Sequence, residues 1–325
     1  MAMLLVFAAT AQPKRAKADV KKEKQLVGSF VDVPATHYTI RDSNGNDSLT
    51  VTIASFRMLA TEVSIASYNL FLDDLKAQGR QADYEAARID TSRAMPYLPT
   101  TYFTLPSFGQ HPVSCISYEG AMLFCQWLTE KAGGGEWIYT LPTEVQWKHA
   151  ARSGRPPLSY ECPFPYSMES PFLTNKNGES LYTYLKVGDE RITMKDGHLS
   201  LLDSNREIVN DSKILSSTYF YSPTPIWSHH PNGLGLFNMC GNVAEMVYEC
   251  GVAFGGSFFD PGYDIRIYST KEYTQPSPQI GFRVIALWVG TAAQYFPFWQ
   301  QGCQQGGVVV LENTVMLEES FTPEG

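Results

Sequence analysis

The sequence lacks an excess of positive charge. Its 325 residues include 25 lysines and arginines against 33 aspartates and glutamates, which gives a formal net charge of −8. A nucleic-acid-binding surface needs a positive face to meet phosphate groups, and beyond the N-terminal region the chain has no long basic run. We therefore expect no nucleic acid among its partners.

Several common catalytic and cofactor-binding motifs are also missing. The chain has no HExxH zinc motif, no GxSxG nucleophile elbow, no phosphate-binding loop and no GxGxxG fingerprint. Its six cysteines form no CxxC pair, which excludes a zinc ribbon and a thioredoxin-type motif. His229 and His230 are neighbours in a polar turn, where adjacent side chains usually diverge, so a metal site there is not favoured. The common motif-bearing enzyme classes are therefore not supported.

Long hydrophobic runs are absent from the N-terminus. The apolar run at residues 3–9 is too short to span a bilayer, and no transmembrane span is expected. It leads into Ala9-Thr10-Ala11, which has the small-x-small form of a signal-peptidase site. We interpret residues 1–11 as the remnant of a signal peptide and residues 12–26, which are highly charged, as a solvated linker. This predicts a periplasmic or secreted protein; the alternative is a floppy apolar tail.

Local patterns predict a mixture of helices and strands. A hairpin is expected at 37–53, where Asn44-Gly45 is a strong turn pair; the same stretch begins like a calcium loop but lacks its last glutamate. Amphipathic helices are expected at three places: residues 64–78, a segment capped by Ser117, and a segment that starts with a capping box of Thr143 and Gln146. From 155 to about 231 the periodicity fades, and only short strands such as 182–187 are predicted.

Six segments share their order, spacing and content with one known family. They are ASFRMLATEVSIASYNLFL (54–72), HPVSCISYEGAMLFCQWL (111–128), YTLPTEVQWKHAAR (139–152), PNGLGLFNMCGNVAEM (231–246), FGGSFFDPGYDIR (254–266) and IGFRV (280–284). Together they resemble the sulfatase-modifying-factor family, also called the formylglycine-generating-enzyme family. The resemblance covers residues 27–285 and leaves 286–325 as an apolar tail of unassigned role.

The resemblance implies an α+β, C-type-lectin-like fold with little regular secondary structure, whose long loops are ordered by bound calcium. It places a calcium site in GLGLFNMCGNVAEM, with the side chains of Asn238 and Glu245 and the backbone carbonyls of Gly241 and Val243 as ligands. Calcium takes about six to eight hard oxygens, and glycines let carbonyls turn inward, so these residue types suit the ion. The alternative is that Asn238 and Glu245 only cap turns.

The copper site of the catalytic members is not matched. Those enzymes use two cysteines that bind copper and activate oxygen to convert a substrate cysteine to formylglycine. The matching positions, three and eight residues after the serine of GGSF, are Asp260 and Ile265. Because Cu(I) prefers thiolates, copper is not expected. Val284 replaces a family cysteine that would pair with Cys125, so Cys125 is expected to be a buried thiol. The segment 247–254 is shorter than in most family enzymes, which implies a cleft that lacks one wall.

These features favour an exported, calcium-stabilised, non-catalytic domain that acts as a binding or scaffold protein. Some relatives belong to the envelope machinery for type IX secretion and gliding, so the resemblance implies a protein or glycan partner in the cell envelope. The alternative is a formylglycine-generating oxidase, or a divergent oxygenase acting on protein cysteine, with a rebuilt metal site. Copper titration of the reduced protein separates the two interpretations.

Overall fold

The computed structural model describes residues 14–41, 48–94, 98–99, 101–154, 222–228, 231–260, 267 and 269–290, with short strands at 194–195, 198–199 and 315–319. In these residues the α-helices are α1 (Lys17–Leu26), α2 (Ile65–Ala77), α3 (Gln81–Ala87), α4 (Tyr118–Ala132) and α5 (Glu144–Ala151). The strands are β1 (Phe30–Val33), β2 (Thr36–Arg41), β3 (Ser48–Ile53), β4 (Phe56–Leu59), β5 (Trp137–Thr140), β6 (Met194–Lys195), β7 (His198–Leu199), β8 (Ala244–Met246), β9 (Val252–Phe254), β10 (Thr270–Glu272), β11 (Ile280–Phe282), β12 (Ile285–Trp288) and β13 (Val315–Glu319).

The three predicted helices begin at the caps that the sequence supplies. The hydroxyl of Ser64 accepts the backbone N–H of Ser67 at 3.1 Å at the start of α2, and Ser117 caps α4 in the same way. Thr143 and Gln146 form the predicted capping box of α5, each side chain meeting the other's backbone N–H. These local signals fix the helix starts because they depend only on residues a turn apart.

The first sheet has the order β1-β4-β12-β5, with antiparallel pairing throughout. Ile285 in β12 pairs with Met58 on one side and with Thr140 on the other. The boundary predicted after residue 285 is therefore wrong, because it cuts through a central strand. Residues 286–288 complete the sheet, which sequence periodicity over so short a strand does not reveal.

The second sheet has the order β10-β9-β8-β11. The predicted calcium loop leads into β8, which is one of the sheet's two central strands. β11 runs parallel to β8, and Gly281 in β11 passes so close to Val113 that a Cβ at this glycine would lie 2.6 Å from the Val113 carbonyl oxygen. A third sheet contains the predicted hairpin, in which Tyr38 of β2 faces Val51 of β3. The Asn44-Gly45 turn and the predicted strand at 182–187 lie outside the described residues.

The core is aromatic where α2 and α4 meet β11. Tyr68 stacks on Phe124 with ring centroids 5.7 Å apart, and Phe71, Trp127 and Phe282 close the cluster with edge-on or tilted contacts. All five side chains are buried, and each contributes about 1.5–3 kcal/mol by leaving water. This packing holds β11, and hence β8 beside it, in a fixed position.

The segment predicted as a solvated linker is instead docked on the domain. Glu23 of α1 is 1% exposed, and its carboxylate accepts both terminal nitrogens of Arg57 at 2.9 Å. It also accepts the hydroxyl of Tyr139 at 2.6 Å and contacts Arg15. Residues 14–26 therefore belong to the folded unit. In the described residues no helix is long and apolar enough to cross a membrane.

Candidate functional site

The loop that leads into β8 is buried and tightly turned. Asn238, Gly241 and Asn242 have positive φ angles of 54°, 87° and 60°. Such angles are uncommon outside glycine, asparagine and aspartate, and they persist where the surroundings fix the chain. Asn238 is 4% exposed, and Asn242, Val243 and Glu245 are each 1% exposed. The structure therefore gathers the predicted ligand residues in one short, buried segment.

Glu245, at the centre of β8, is bound by a buried arginine and a buried tryptophan. Its carboxylate accepts Nε of Arg283 at 2.7 Å and Nη2 of the same guanidinium at 2.6 Å. It also accepts the indole N–H of Trp147 at 2.7 Å. Trp147 comes from LPTEVQWK, Glu245 from GNVAEM and Arg283 from GFR, so the three most specific sequence motifs meet at one carboxylate.

Arg283 ties this centre to two further loops. Its guanidinium donates to the backbone carbonyls of Leu59 at 3.2 Å, Ala60 at 3.3 Å and Phe237 at 2.7 Å. The side chain is fully buried, and its fork of donors suits several acceptors at once. The end of β4 and the loop before β8 are therefore held together through one residue.

Glu62, between β4 and α2, is the residue that sequence analysis missed. Its carboxylate is fully buried and accepts the side-chain amides of Asn238 at 2.9 Å and Asn242 at 2.8 Å. Burial raises the pKa of Glu62 to about 8; the Arg283 guanidinium opposes that rise, and the Glu245 carboxylate adds to it. The available signal was a glutamate placed among apolar residues inside the first family-like segment.

Among the predicted calcium ligands, Asn238 has an oxygen available for a cation, whereas the carboxylate oxygens of Glu245 already accept hydrogen bonds. Oδ1 of Asn238 is buried without a hydrogen-bond partner in the part of the chain that the structure describes, and such an acceptor is destabilising unless an ion or a water meets it. The Glu245 carboxylate, with about four acceptor positions, already receives three donors. Asn238 thus fits a calcium ligand directly, whereas Glu245 retains little room for one.

Two large aromatic side chains project from the segments that flank Asn242. The backbone N–H of Thr224 donates to Oδ1 of Asn242 at 2.9 Å, and Trp227, three residues further on, is 53% exposed. The backbone N–H of Phe258 donates to the carbonyl of Asn242 at 2.6 Å, and the next residue, Phe259, is 40% exposed. Exposed aromatic rings present an apolar face that can stack on or pack against another molecule.

The position matched to the first copper-binding cysteine holds an ion pair. Oδ2 of Asp260 accepts the backbone N–H of Ser257 at 2.7 Å and its hydroxyl at 2.6 Å. The ammonium of Lys271 lies 2.8 Å from Oδ1 of the same aspartate, and both charged side chains are largely shielded from solvent. Ile265, matched to the second cysteine, lies outside the described residues. The described half of the copper position is therefore a neutralised carboxylate.

Comparison with known families identifies the domain. The sulfatase-modifying factor enzyme 1-like domain matches residues 16–287. The chain belongs to the sulfatase-modifying-factor family. The matched range starts ahead of α1 and ends within β12, so the family domain extends past residues 27–285 at both ends, in agreement with the fold. No curated protein matches the sequence.

Similar solved structures are distant in sequence. PvdO from Pseudomonas aeruginosa is 19% identical and has a TM-score of 0.50, covering 79% of this chain and 93% of its own. CarF is 20% identical with a TM-score of 0.49, covering 79% of this chain and 97% of its own. Treponema denticola variable protein 1 is 14% identical with a TM-score of 0.48, covering 80% and 96%. The likeness to PvdO shows the fold alone, which is the predicted α+β fold.

The cysteines of this sulfatase-modifying-factor domain differ in state. Cys125 on α4 is a free, buried thiol, as predicted, and burial raises its pKa above the usual range. Cys115 is also free and buried, and burial raises its pKa to about 12. Cys250 is disulfide-bonded to a partner outside the described residues. Burial and a raised pKa both disfavour the thiolate, which is the form that attacks substrates and binds metals. His229 and His230 also lie outside the described residues.

Proposed function

We propose that this sulfatase-modifying-factor domain is a non-catalytic binding or scaffold protein of the cell envelope, exported and stabilised by calcium. The observation that carries the proposal is the ion pair of Asp260 and Lys271 at the first copper position. Cu(I) is held by soft thiolates, and a carboxylate neutralised by an ammonium supplies neither a soft ligand nor net negative charge. The scaffold is kept, while the matched oxidase residue is replaced.

An aldehyde assay tests the non-catalytic part. The purified protein is given copper, oxygen, reductant and a cysteine-bearing sulfatase peptide, and the peptide is examined by mass spectrometry. We expect no aldehyde from the natural chain, with an active formylglycine-generating enzyme as the positive control. The double substitution Asp260→Cys and Ile265→Cys should restore copper binding more readily than turnover, because the short segment 247–254 alters the cleft. Aldehyde from the natural chain would establish the oxidase alternative.

The calcium part rests on the loop of Asn238, Gly241, Val243 and Glu245. The unpartnered Oδ1 of Asn238 supports it, as do the left-handed turns that direct the backbone there. Calcium that binds only the folded state stabilises it by about 2.7 kcal/mol at a hundredfold excess over the dissociation constant. Glu245→Gln should reduce that gain. A melting temperature that ignores both calcium and chelator would contradict the proposal.

The export part rests on Ala9-Thr10-Ala11 and is supported by the disulfide of Cys250, since disulfides persist in oxidising compartments. The mature protein is expected to begin at Gln12 and to fractionate with the periplasm or the medium. N-terminal sequencing of the protein expressed in its native cells decides the point. Cytosolic protein that retains residues 1–11 would overturn it.

The binding part is supported by the exposed rings of Trp227 and Phe259, which suit stacking on a glycan or packing on a protein. A pull-down from native envelope with the tagged full chain identifies what binds. Trp227→Ala should weaken recovery of that partner without changing the melting temperature. Val20→Ala, at a side chain that is 37% exposed on α1, is the matched control. Equal recovery by both variants would remove Trp227 from the binding surface.

A further inference from the structure

We infer that Glu62 is a further ligand of the cation site in the loop before β8. It supplies the negative charge for the cation, because the charge of Glu245 is already neutralised by Arg283. The inference rests on the calcium site proposed above and names its missing anionic member. Glu62, Glu245 and Arg283 are each at most 1% exposed, so the protein buries two carboxylates here with one guanidinium.

The single guanidinium is directed at only one of the two carboxylates. Arg283 forms its ion pair with Glu245 at 2.6 Å. Its other described hydrogen bonds go to backbone carbonyls. Among the described residues Glu62 forms no salt bridge; its described donors are two neutral amides. A buried carboxylate without a cation is strongly destabilising when ionised, so the ionised form calls for a positive ion beside it.

Oxygen atoms suited to such an ion already converge on Glu62. The amide nitrogen of Asn238 lies 2.9 Å from Oε2 of Glu62 and 3.0 Å from the carbonyl oxygen of Ile226. The nitrogen and oxygen of an asparagine amide exchange places by a half-turn of the side chain, and their assignment follows the hydrogen-bonding partners present. A half-turn would bring Oδ1, now buried without a partner, to meet these two oxygens. Three oxygens in such proximity repel one another unless a cation lies between them.

The second asparagine connects the same carboxylate to a further backbone carbonyl oxygen. Nδ2 of Asn242 lies 2.8 Å from Oε1 of Glu62 and 3.3 Å from the carbonyl oxygen of Thr224. The oxygens around Glu62 are thus its own carboxylate, Oδ1 of Asn238 after the half-turn, and the backbone carbonyls of Ile226 and Thr224, while Oδ1 of Asn242 stays engaged with the N–H of Thr224. All are hard donors, and the described set contains no sulfur or imidazole. Calcium accepts this set in irregular geometry, whereas magnesium demands a near-ideal octahedron and keeps its waters. A calcium-sized hard cation is therefore the ligand that the chemistry selects.

Calcium titration of the full-length protein, stripped of metal with a chelator, tests the inference by calorimetry. We expect Glu62→Gln to weaken calcium affinity at least about tenfold, which corresponds to about 1.4 kcal/mol. Glu23→Gln is the matched control, because Glu23 is equally buried but lies in the α1 cluster; it should bind calcium like the natural protein. Near-UV circular dichroism at the titration temperature verifies that each variant is folded.

The outcomes separate the inference from the proposal beneath it. If the natural protein binds no calcium, both fail. If it binds calcium and folded Glu62→Gln binds equally well, Glu62 is not a ligand and the calcium proposal stands without it. Should Glu62→Gln not fold, Glu62→Asp decides, since it keeps the charge but withdraws the carboxylate by one methylene. Weaker calcium binding by that variant supports the inference, and unchanged binding overturns it.

Discussion

The cluster around Glu23 and the cluster around Arg283 are both buried and ionic, but their surplus charges have opposite signs. Glu23 meets two guanidiniums, those of Arg15 and Arg57. Arg283 forms its ion pair with Glu245, and a second carboxylate, that of Glu62, lies under the influence of the same guanidinium within a fully buried centre. The two clusters therefore show how a protein treats an extra buried cation and an extra buried anion.

The surplus at Glu23 is relieved by aromatic rings and at the protein surface, where the exposed carboxylate of Asp32 lies 3.7 Å from Nε of Arg57. Arg15 lies over the ring of Trp137 at 5.2 Å and Arg57 over that of Phe30 at 5.2 Å, and the Arg57 side chain is 12% exposed. The surplus at Glu62 has neither relief, since this carboxylate is fully buried among amides. The first cluster is a complete clamp for α1, whereas the second is complete only when a proton or a cation neutralises it.

The largest effect is expected where the second cluster loses its only guanidinium. Arg283→Met keeps an apolar stem of similar length but leaves Glu245 and Glu62 buried without a counter-charge. Removing one partner of a buried ion pair destabilises by about 3–5 kcal/mol, and three backbone carbonyls each lose one hydrogen bond as well. Urea unfolding followed by circular dichroism measures the loss.

The matched control is Arg80→Met. Arg80 pairs with Asp83 at 2.7 Å and with Glu130 at 3.2 Å at the protein surface. Exposed pairs contribute about 0–1 kcal/mol, so this variant should unfold close to the natural protein. Similar losses for Arg80→Met and Arg283→Met would show that burial does not distinguish the two sites.

A smaller effect is expected when the α1 clamp is weakened. Glu23→Gln keeps the shape and one acceptor oxygen but removes the charge that both arginines share. Because the arginines retain aromatic and solvent contacts, we expect a loss of about 1.5–3 kcal/mol, the range of a charged hydrogen bond. Limited proteolysis should then cut first within 14–26. Unchanged proteolysis would mean that α1 is held by its apolar contacts rather than by Glu23.

The sequence predicted the features that depend on neighbouring residues, and it did not predict those that depend on contacts between distant residues. The helix starts could be predicted because an N-cap depends only on the next turn of the chain, as at Ser64, Ser117 and Thr143. Glu23 looked like any residue of a charged linker, since its burial depends on Arg57 and on Tyr139, 116 positions away. A pattern of exposed charges carries no information about partners at that separation.

The same distinction between neighbouring and distant contacts holds for the candidate site. Family resemblance predicted the loop at 238–245, because motif spacing records local backbone turns. It did not predict Glu62, which meets Asn238 across 176 positions, nor the pairing of Asp260 with Lys271 on β10. Both contacts depend on the sheet topology that brings β4 and β10 to the loop.

The smallest expected effect is a loss of stability at acid pH, and it comes from a buried histidine outside the two ionic clusters. His149, two residues after Trp147 on α5, is fully buried, and its Nε2 lies 2.9 Å from the carbonyl oxygen of Pro34. Burial lowers the pKa of His149, the charge of Arg152 lowers it further, and the Pro34 carbonyl opposes both.

The unfolded chain therefore binds a proton more readily than the folded one. The contribution of His149 to the free energy of unfolding is full at neutral pH, and it is lost as the pH drops below the unfolded pKa of about 6.5, by at most about 1.4 kcal/mol per pH unit. Burial also lowers the pKa of His111, which adds to the same slope. His149→Gln cannot titrate, so its urea midpoint should decline less than that of the natural protein between about pH 7 and about pH 5.5. His37→Gln, at an exposed histidine on β2, controls for losing a histidine. Identical pH slopes for His149→Gln and the natural protein would assign the acid sensitivity to His111.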